Sequence, residues 1–180
     1  MYYFKYIEIM KILNLILMCL IGICGVSAQN IPDLVYFKVA EKFEKYIVLD
    51  VLSLPEPEGN SGKFRYTPEC DRNELFSKKA FSMMESYFTD KDWSDKKDWL
   101  KKYGPAYTIY FDKNMKIFSY SIMLEPEVFT QMSEEYLKGF GEELMKIDLR
   151  PYFEIEEKDK ESFTWGAVHV WVYRRYKENK

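Results

Sequence analysis

Apolar residues recur along this chain with three different spacings, and each predicts a different kind of element. From Ile12 to Gly25 they run almost unbroken, Ile-Leu-Asn-Leu-Ile-Leu-Met-Cys-Leu-Ile-Gly-Ile-Cys-Gly. Further on, Phe76, Ala80, Met83, Met84 and Tyr87 fall three and four apart, the spacing of one helix face, and Asp71 and Asn73 stand where they can cap its start. A shorter helix is predicted from Ser94 to Tyr103, with Trp99 and Tyr103 one turn apart and Gly104-Pro105 ending it. Val128, Met132, Tyr136, Phe140 and Leu144 repeat every four residues. They predict one long helix from Glu127 to Lys146, opened by Pro126.

Alternation with a period of two marks the strands. Tyr107 to Phe111, an Asp112-Lys113-Asn114 turn and Lys116 to Leu124 read as a hairpin. In its second strand Phe118, Tyr120, Ile122 and Leu124 share one face and Ser119 and Ser121 the other, which predicts a sheet covered on one side. A strand from Tyr152 to Glu156, a charged turn at Lys158 to Glu161 and a last strand from Phe163 to Tyr173 complete the chain. There Val168, Val170 and Val172 point one way, toward the long helix, and Ala167, His169, Trp171 and Tyr173 the other. That second face is either another core layer or a binding surface. Residues 34–54 carry both periods. Tyr36, Val39, Ala40, Phe43 and Ile47 fit a helix, while Tyr46 to Leu52 reads as a strand, and the reading adopted is a short first element followed by that strand. Pro55-Glu-Pro-Glu-Gly-Asn-Ser-Gly62 then forces a surface loop.

The fold class that follows is α+β: a single domain, residues 29–180, with an antiparallel sheet packed on one face by amphipathic helices and a β-β-α-β-β order in its C-terminal half. The first apolar run is set apart from it. Lys11 precedes the run and Val26-Ser27-Ala28 follows it, the basic, apolar and small-residue order of a secretory signal cleaved before Gln29. Met10 offers a second start that drops the acidic Glu8. The competing reading is an uncleaved anchor over residues 12–28, at the short end of a membrane span. A lipoprotein would need a small residue before its cysteine, whereas Met18 precedes Cys19 and Ile23 precedes Cys24. The domain is therefore expected outside the cytoplasm, periplasmic or extracellular, in a bacterium.

Composition narrows the function by exclusion. Of 26 basic and 29 acidic residues, setting aside Lys5, Lys11 and Glu8 leaves 24 against 28, and the basic residues form no stripe apart from Arg174, Arg175, Lys177 and Lys180 near the end. Nucleic-acid binding, which depends on clustered cations facing phosphates, is not expected. An apolar fraction of 47% with 18% aromatic residues is that of a folded chain rather than a disordered one. Of the three cysteines, Cys19 and Cys24 lie in the export segment, so Cys70 is left without a disulfide partner.

Two resemblances to known families are carried by short stretches. Ile109-Tyr-Phe-Asp-Lys-Asn-Met-Lys-Ile117, the helix from Glu127 to Lys146 and the ending Val-His-Val-Trp-Val-Tyr173 are laid out like the C-terminal domain of TonB-type energy transducers. That likeness implies a periplasmic domain that binds peptide segments on exposed strand edges. A transducer also needs a membrane anchor and a Pro-rich linker, and here the leader looks cleavable and no clear Pro-rich linker follows it. Glu69-Cys70-Asp71 ahead of a helix and Val168-His169-Val170 in a strand resemble NlpC-type peptidases of the cell wall. The resemblance implies Cys70 as nucleophile and His169 as base, although that family has small residues after its cysteine where Asp71-Arg72 stand here.

Asp90, Asp92, Ser94 and Asp98 have the spacing of a calcium loop, but Asp95 occupies the place of the glycine and Lys101 that of the closing glutamate, so no metal is expected. No glycine-rich phosphate loop, Ser/His/Asp arrangement or CxxC pattern occurs in the mature chain, and no cofactor is called for. What remains is an exported binding domain, not an enzyme. It would recognise another protein or peptide through an edge strand or the face bearing His169, Trp171 and Tyr173. The alternatives are the cysteine hydrolase and an inhibitor of an exported enzyme.

Overall fold

The structure is a computed structural model that describes residues 31, 33–68, 74–89 and 104–171, all within one compact unit, Ile31–Lys180. Seven strands, two α-helices and two 3-10 turns are described. The strands are β1 (Phe37–Lys42), β2 (Ile47–Val51), β3 (Arg65–Tyr66), β4 (Ala106–Phe111), β5 (Ile117–Leu124), β6 (Phe153–Glu154) and β7 (Gly166–Trp171). The helices are α1 (Glu74–Thr89) and α2 (Glu134–Leu144), and the 3-10 turns span Pro126–Thr130 and Glu157–Asp159. Strands β1, β2, β5, β4 and β7 lie side by side in that order, every pair antiparallel, while β3 and β6 form a separate two-stranded ribbon. This is the α+β architecture that the alternating and helical spacings call for.

The inner face of the large sheet is paved by residues at every second position: Ile47, Leu49 and Val51 from β2, Tyr120, Ile122 and Leu124 from β5, Tyr107, Ile109 and Phe111 from β4, and Val168 and Val170 from β7, all buried. Against them lie Phe76, Ala80, Met84 and Phe88, a strict four-residue repeat along α1, and Leu137, Phe140 and Leu144 of α2. Two aromatic groups knit this core. Phe76 and Phe153 meet edge to face at 5.1 Å, and Phe153 also meets Phe64 at 5.4 Å; the other group joins Phe88 to Phe140 at 5.2 Å and Phe140 to Tyr107 at 5.1 Å. Each such pair adds about 0.5–1.5 kcal/mol beyond its buried area.

Helix α2 is tied to its neighbours by tyrosines. Tyr87 of α1 donates its hydroxyl to the Tyr136 carbonyl at 3.1 Å, Tyr107 of β4 to Leu137 at 2.8 Å and Tyr120 of β5 to Lys138 at 3.1 Å. Three successive carbonyls of one helix thus receive donors from three elements. Glycine makes the approach possible, because a Cβ built on Gly141 would lie 2.2 Å from the Tyr120 ring and one on Gly139 2.4 Å from the Tyr87 hydroxyl. Burial raises the Tyr107 phenol well above its ordinary value and raises Tyr120 in the same direction.

Several expected boundaries move. In residues 34–54 the short first element is strand β1, and the strand expected from Tyr46 to Leu52 is β2 from Ile47 to Val51, the two forming a hairpin whose turn is closed by Phe43 N–H on the Tyr46 carbonyl at 2.8 Å. The expected 127–146 helix is two pieces: the 3-10 turn leads to Ser133, whose hydroxyl accepts from Tyr136 N–H at 3.3 Å and starts α2 there. A serine that bonds local backbone interrupts a helix that apolar spacing alone would continue. The expected 152–156 strand shrinks to β6, which pairs with β3 outside the main sheet. Ser119 and Ser121, expected on an open face, are buried as well, because Tyr110 beside them leans over, its hydroxyl 3.1 Å from Ser121 Oγ. The bulge between Tyr110 and Phe111 gives the inward place to Ile117, and Phe118 is left half-buried. The helix expected at 94–103, the capping residues Asp71 and Asn73, and Val172 and Tyr173 lie outside the described residues.

Candidate functional site

Strand register puts one polar row straight across the outer face of the sheet. Lys38 pairs with Asp50, Asp50 with Ser121, Ser121 with Thr108 and Thr108 with His169. All five strands contribute one residue each, and the parity that buries Leu49, Ile122, Ile109 and Val168 on the inner face turns these five outward. At one end of the row Thr108 Oγ1 lies 2.9 Å from His169 Nδ1. At the other end Lys38 is ion-paired with Glu56, a contact that raises the lysine pKa. Partial burial, ahead of the repulsion from Glu56 and Glu41, raises the Asp50 carboxyl although Lys38 pulls it down.

Apolar and aromatic residues flank the row on both sides. On one side Val48 pairs with Met123, Met123 with Ala106 and Ala106 with Trp171. On the other, Tyr110 meets Trp165 edge to face at 5.7 Å, and the Trp165 indole donates to the Gly59 carbonyl at 3.3 Å, fastening the 55–62 loop beside β7. His169 is exposed and Trp171 is 38% exposed, so neither is covered by a second layer of the core. They sit two residues apart on one face of an edge strand, while Val168 and Val170 between and beside them are buried.

The hairpin at the opposite edge carries exposed apolar residues along its length. Val35, Val39, Phe43, Tyr46 and Leu52 are all exposed, Phe43 to 52% and Val39 to 41%. Among the described strands none pairs with the outer edge of β1.

Of the residues singled out in the sequence, His169 and Trp171 stand on the outer face of β7; Tyr173 and Cys70 lie outside the described residues. The Cys70 half of the nucleophile and base pair of a cysteine hydrolase therefore falls outside the described residues, and the His169 Nδ1 atom faces Thr108 Oγ1. The calcium-spaced segment, Asp90 to Lys101, is likewise outside them. Sequence reasoning missed Thr108, Asp50 and Trp165, whose meeting depends on strand order and not on local pattern. It also missed the apolar hairpin edge, which Val39 and Phe43 could have signalled had residues 34–54 been read as two strands.

Among the described residues no helix is long and apolar enough to cross a membrane. An α+β domain with an antiparallel five-stranded sheet is the class these observations define. No family model matches the chain, and no curated protein matches it. Among solved structures the chain is similar to a DUF5043 family protein from Bacteroides uniformis, with a TM-score of 0.40 and 11% identity over 70% of this chain and 76% of that one.

Proposed function

We propose that this is an exported domain that binds another protein or peptide through an edge of its five-stranded sheet and the outer face beside it. The observation that supports this reading is where exposed apolar residues line the sheet's edges. Exposed apolar residues are spaced along the β1–β2 hairpin, Phe43 and Tyr46 at its turn, Val39 midway and Val35 and Leu52 at its other end, and Trp171 stands on β7 at the opposite side of the sheet. Exposed apolar side chains along a strand edge that no described strand covers are what an added strand uses: the backbone supplies hydrogen bonds and alternate side chains supply selectivity. Export rests on the order of Lys11, the apolar run and Val26-Ser27-Ala28. An inhibitor of an exported enzyme is a special case of the same reading, with the enzyme as partner.

Display selection of random twelve-residue peptides against the folded domain tests it, with a photo-crosslinking residue placed in turn at Val39, at Trp171 and at Leu75, an exposed position on α1. Selected peptides are expected to crosslink at Val39 or Trp171 and not at Leu75. Binding should be lost in Val39→Lys while the stability to unfolding stays within about 0.5 kcal/mol of wild type, the usual range for surface changes. Failure to select any peptide, or equal crosslinking at Leu75, would overturn the reading.

A further inference from the structure

Strand β1 is fastened to the domain at few points. Of its six residues only Phe37 is buried, and the other five are exposed. Among the described strands it has a neighbour on one side only, and that ladder is interrupted by the bulge between Val39 and Glu41. Such a segment has little buried apolar surface to hold it, which is what distinguishes parts of a protein that open locally from parts that open only with the whole.

One further contact holds the entrance to the strand. Glu134, the first residue of α2, accepts from the Val35 N–H through Oε2 at 2.8 Å, and from the N–H groups of Tyr36 at 2.8 Å and Phe37 at 3.0 Å through Oε1. Three consecutive backbone donors thus end on one carboxylate, a charge-assisted arrangement. One helical turn on, the Lys138 ammonium stands 5.4 Å from the centre of the Tyr36 ring.

We propose that the Glu134 carboxylate is a latch on β1, and that β1 opens as a unit separately from β2, β4, β5 and β7. When it opens, the rim of the sheet passes to β2. The inward-facing Ile47, Leu49 and Val51, buried at present, then form the border against which an incoming strand would pair. The latch is independent of whether any partner binds, and its test uses the unliganded protein.

Residue-resolved native-state hydrogen exchange by NMR reads it directly, on wild type, Glu134→Ala, Glu134→Gln and Glu135→Ala. In wild type the β1 amides bonded to β2 are expected to exchange at least tenfold faster than the central amides of β4 and β5. Glu134→Ala should speed the β1 amides about tenfold more and leave β4 and β5 within twofold. Glu134→Gln, which keeps one acceptor oxygen and serves should the alanine variant fail to fold, should fall between. Glu135→Ala, at the exposed neighbouring position, should change neither. Wild-type β1 exchanging as slowly as β4 and β5 overturns separate opening. Unchanged β1 rates in both Glu134 variants, or equal acceleration in every strand, overturns the latch.

Discussion

Replacing Gly141 by alanine sets two effects of opposite sign against each other. In an exposed helix interior the change would stabilise by about 1 kcal/mol, since glycine is the poorer helix former. Here the new methyl would sit 2.2 Å from Cζ and 2.3 Å from Cε2 of Tyr120, more than 1 Å inside ordinary contact. The ring cannot easily withdraw: Tyr120 is 1% exposed and its hydroxyl is engaged by the Lys138 carbonyl. Overpacking of this kind costs about 1–3 kcal/mol, and displacing a buried hydroxyl from its acceptor costs about 1–3 more. The expected net is a destabilisation of roughly 3 kcal/mol, or a fall in Tm of about 6–12 °C for a domain of this size. Thermal and urea unfolding followed by circular dichroism measure it. The double variant Gly141→Ala with Tyr120→Leu should recover about 2 kcal/mol relative to the sum of the singles, because the ring that clashes is gone. Gly139→Ala is the contrast. Its methyl meets only the hydroxyl tip of half-buried Tyr87, so the loss of about 1 kcal/mol is offset by the helix gain and the variant should match wild type. A Gly141→Ala protein as stable as wild type, or more so, would refute the reasoning.

Three further outcomes are expected. Met115, buried in the β4–β5 turn with a left-handed φ of 61°, pays about 1–2 kcal/mol in backbone strain but contributes about 2–5 through its side chain. Met115→Gly should therefore lower stability by about 2 kcal/mol in urea titration, and a gain would show the side chain to be idle. Asp50 holds its proton more tightly folded than unfolded, since its carboxyl is raised from 3.8, so ionising it in the folded state costs stability, a cost absent below the unfolded value and fully present once pH has risen past the raised one. Asp50→Asn should raise the urea midpoint at pH 7, with the advantage vanishing at about pH 3, where both side chains are neutral; an advantage that grows toward low pH would reverse the sign of the argument. Absorbance titration at 295 nm should leave Tyr107 silent until the alkaline unfolding step, with Tyr107→Phe leaving the native part of the curve unchanged and costing about 1 kcal/mol; a smaller native amplitude in that variant would contradict its burial.

How far the sequence reveals the molecule differs from element to element. The α1 repeat, the 106–124 hairpin and the valine face of β7 are legible because each is set by local spacing, and a buried face imposes that spacing whatever the topology. The 3-10 break before Ser133 is not, because Val128 and Met132 are buried in both arrangements and only the serine hydroxyl chooses between them. The β1–β2 hairpin was ambiguous for a related reason. Val35, Phe37 and Val39 alternate, but Ala40 and the bulge between Val39 and Glu41 break the period, and a strand exposed beyond Phe37 is under little pressure to keep one. The candidate site is the least legible part, since the row from Lys38 to His169 joins residues 131 positions apart in number through pairings that exist only once five strands are ordered. His169 and Trp171 could be singled out because they share a strand; Thr108, which completes the histidine's contact, could not.

The three tyrosine hydroxyls on α2 have a consequence for how disturbance travels. Turning the helix about its axis by a few tens of degrees, or sliding it by one residue, would carry the carbonyls of Tyr136, Leu137 and Lys138 away from all three donors at once. The helix is keyed in place like a pin in a lock, so an event at the sheet's rim has no sliding part through which to reach the far side, and its effects should remain where they begin.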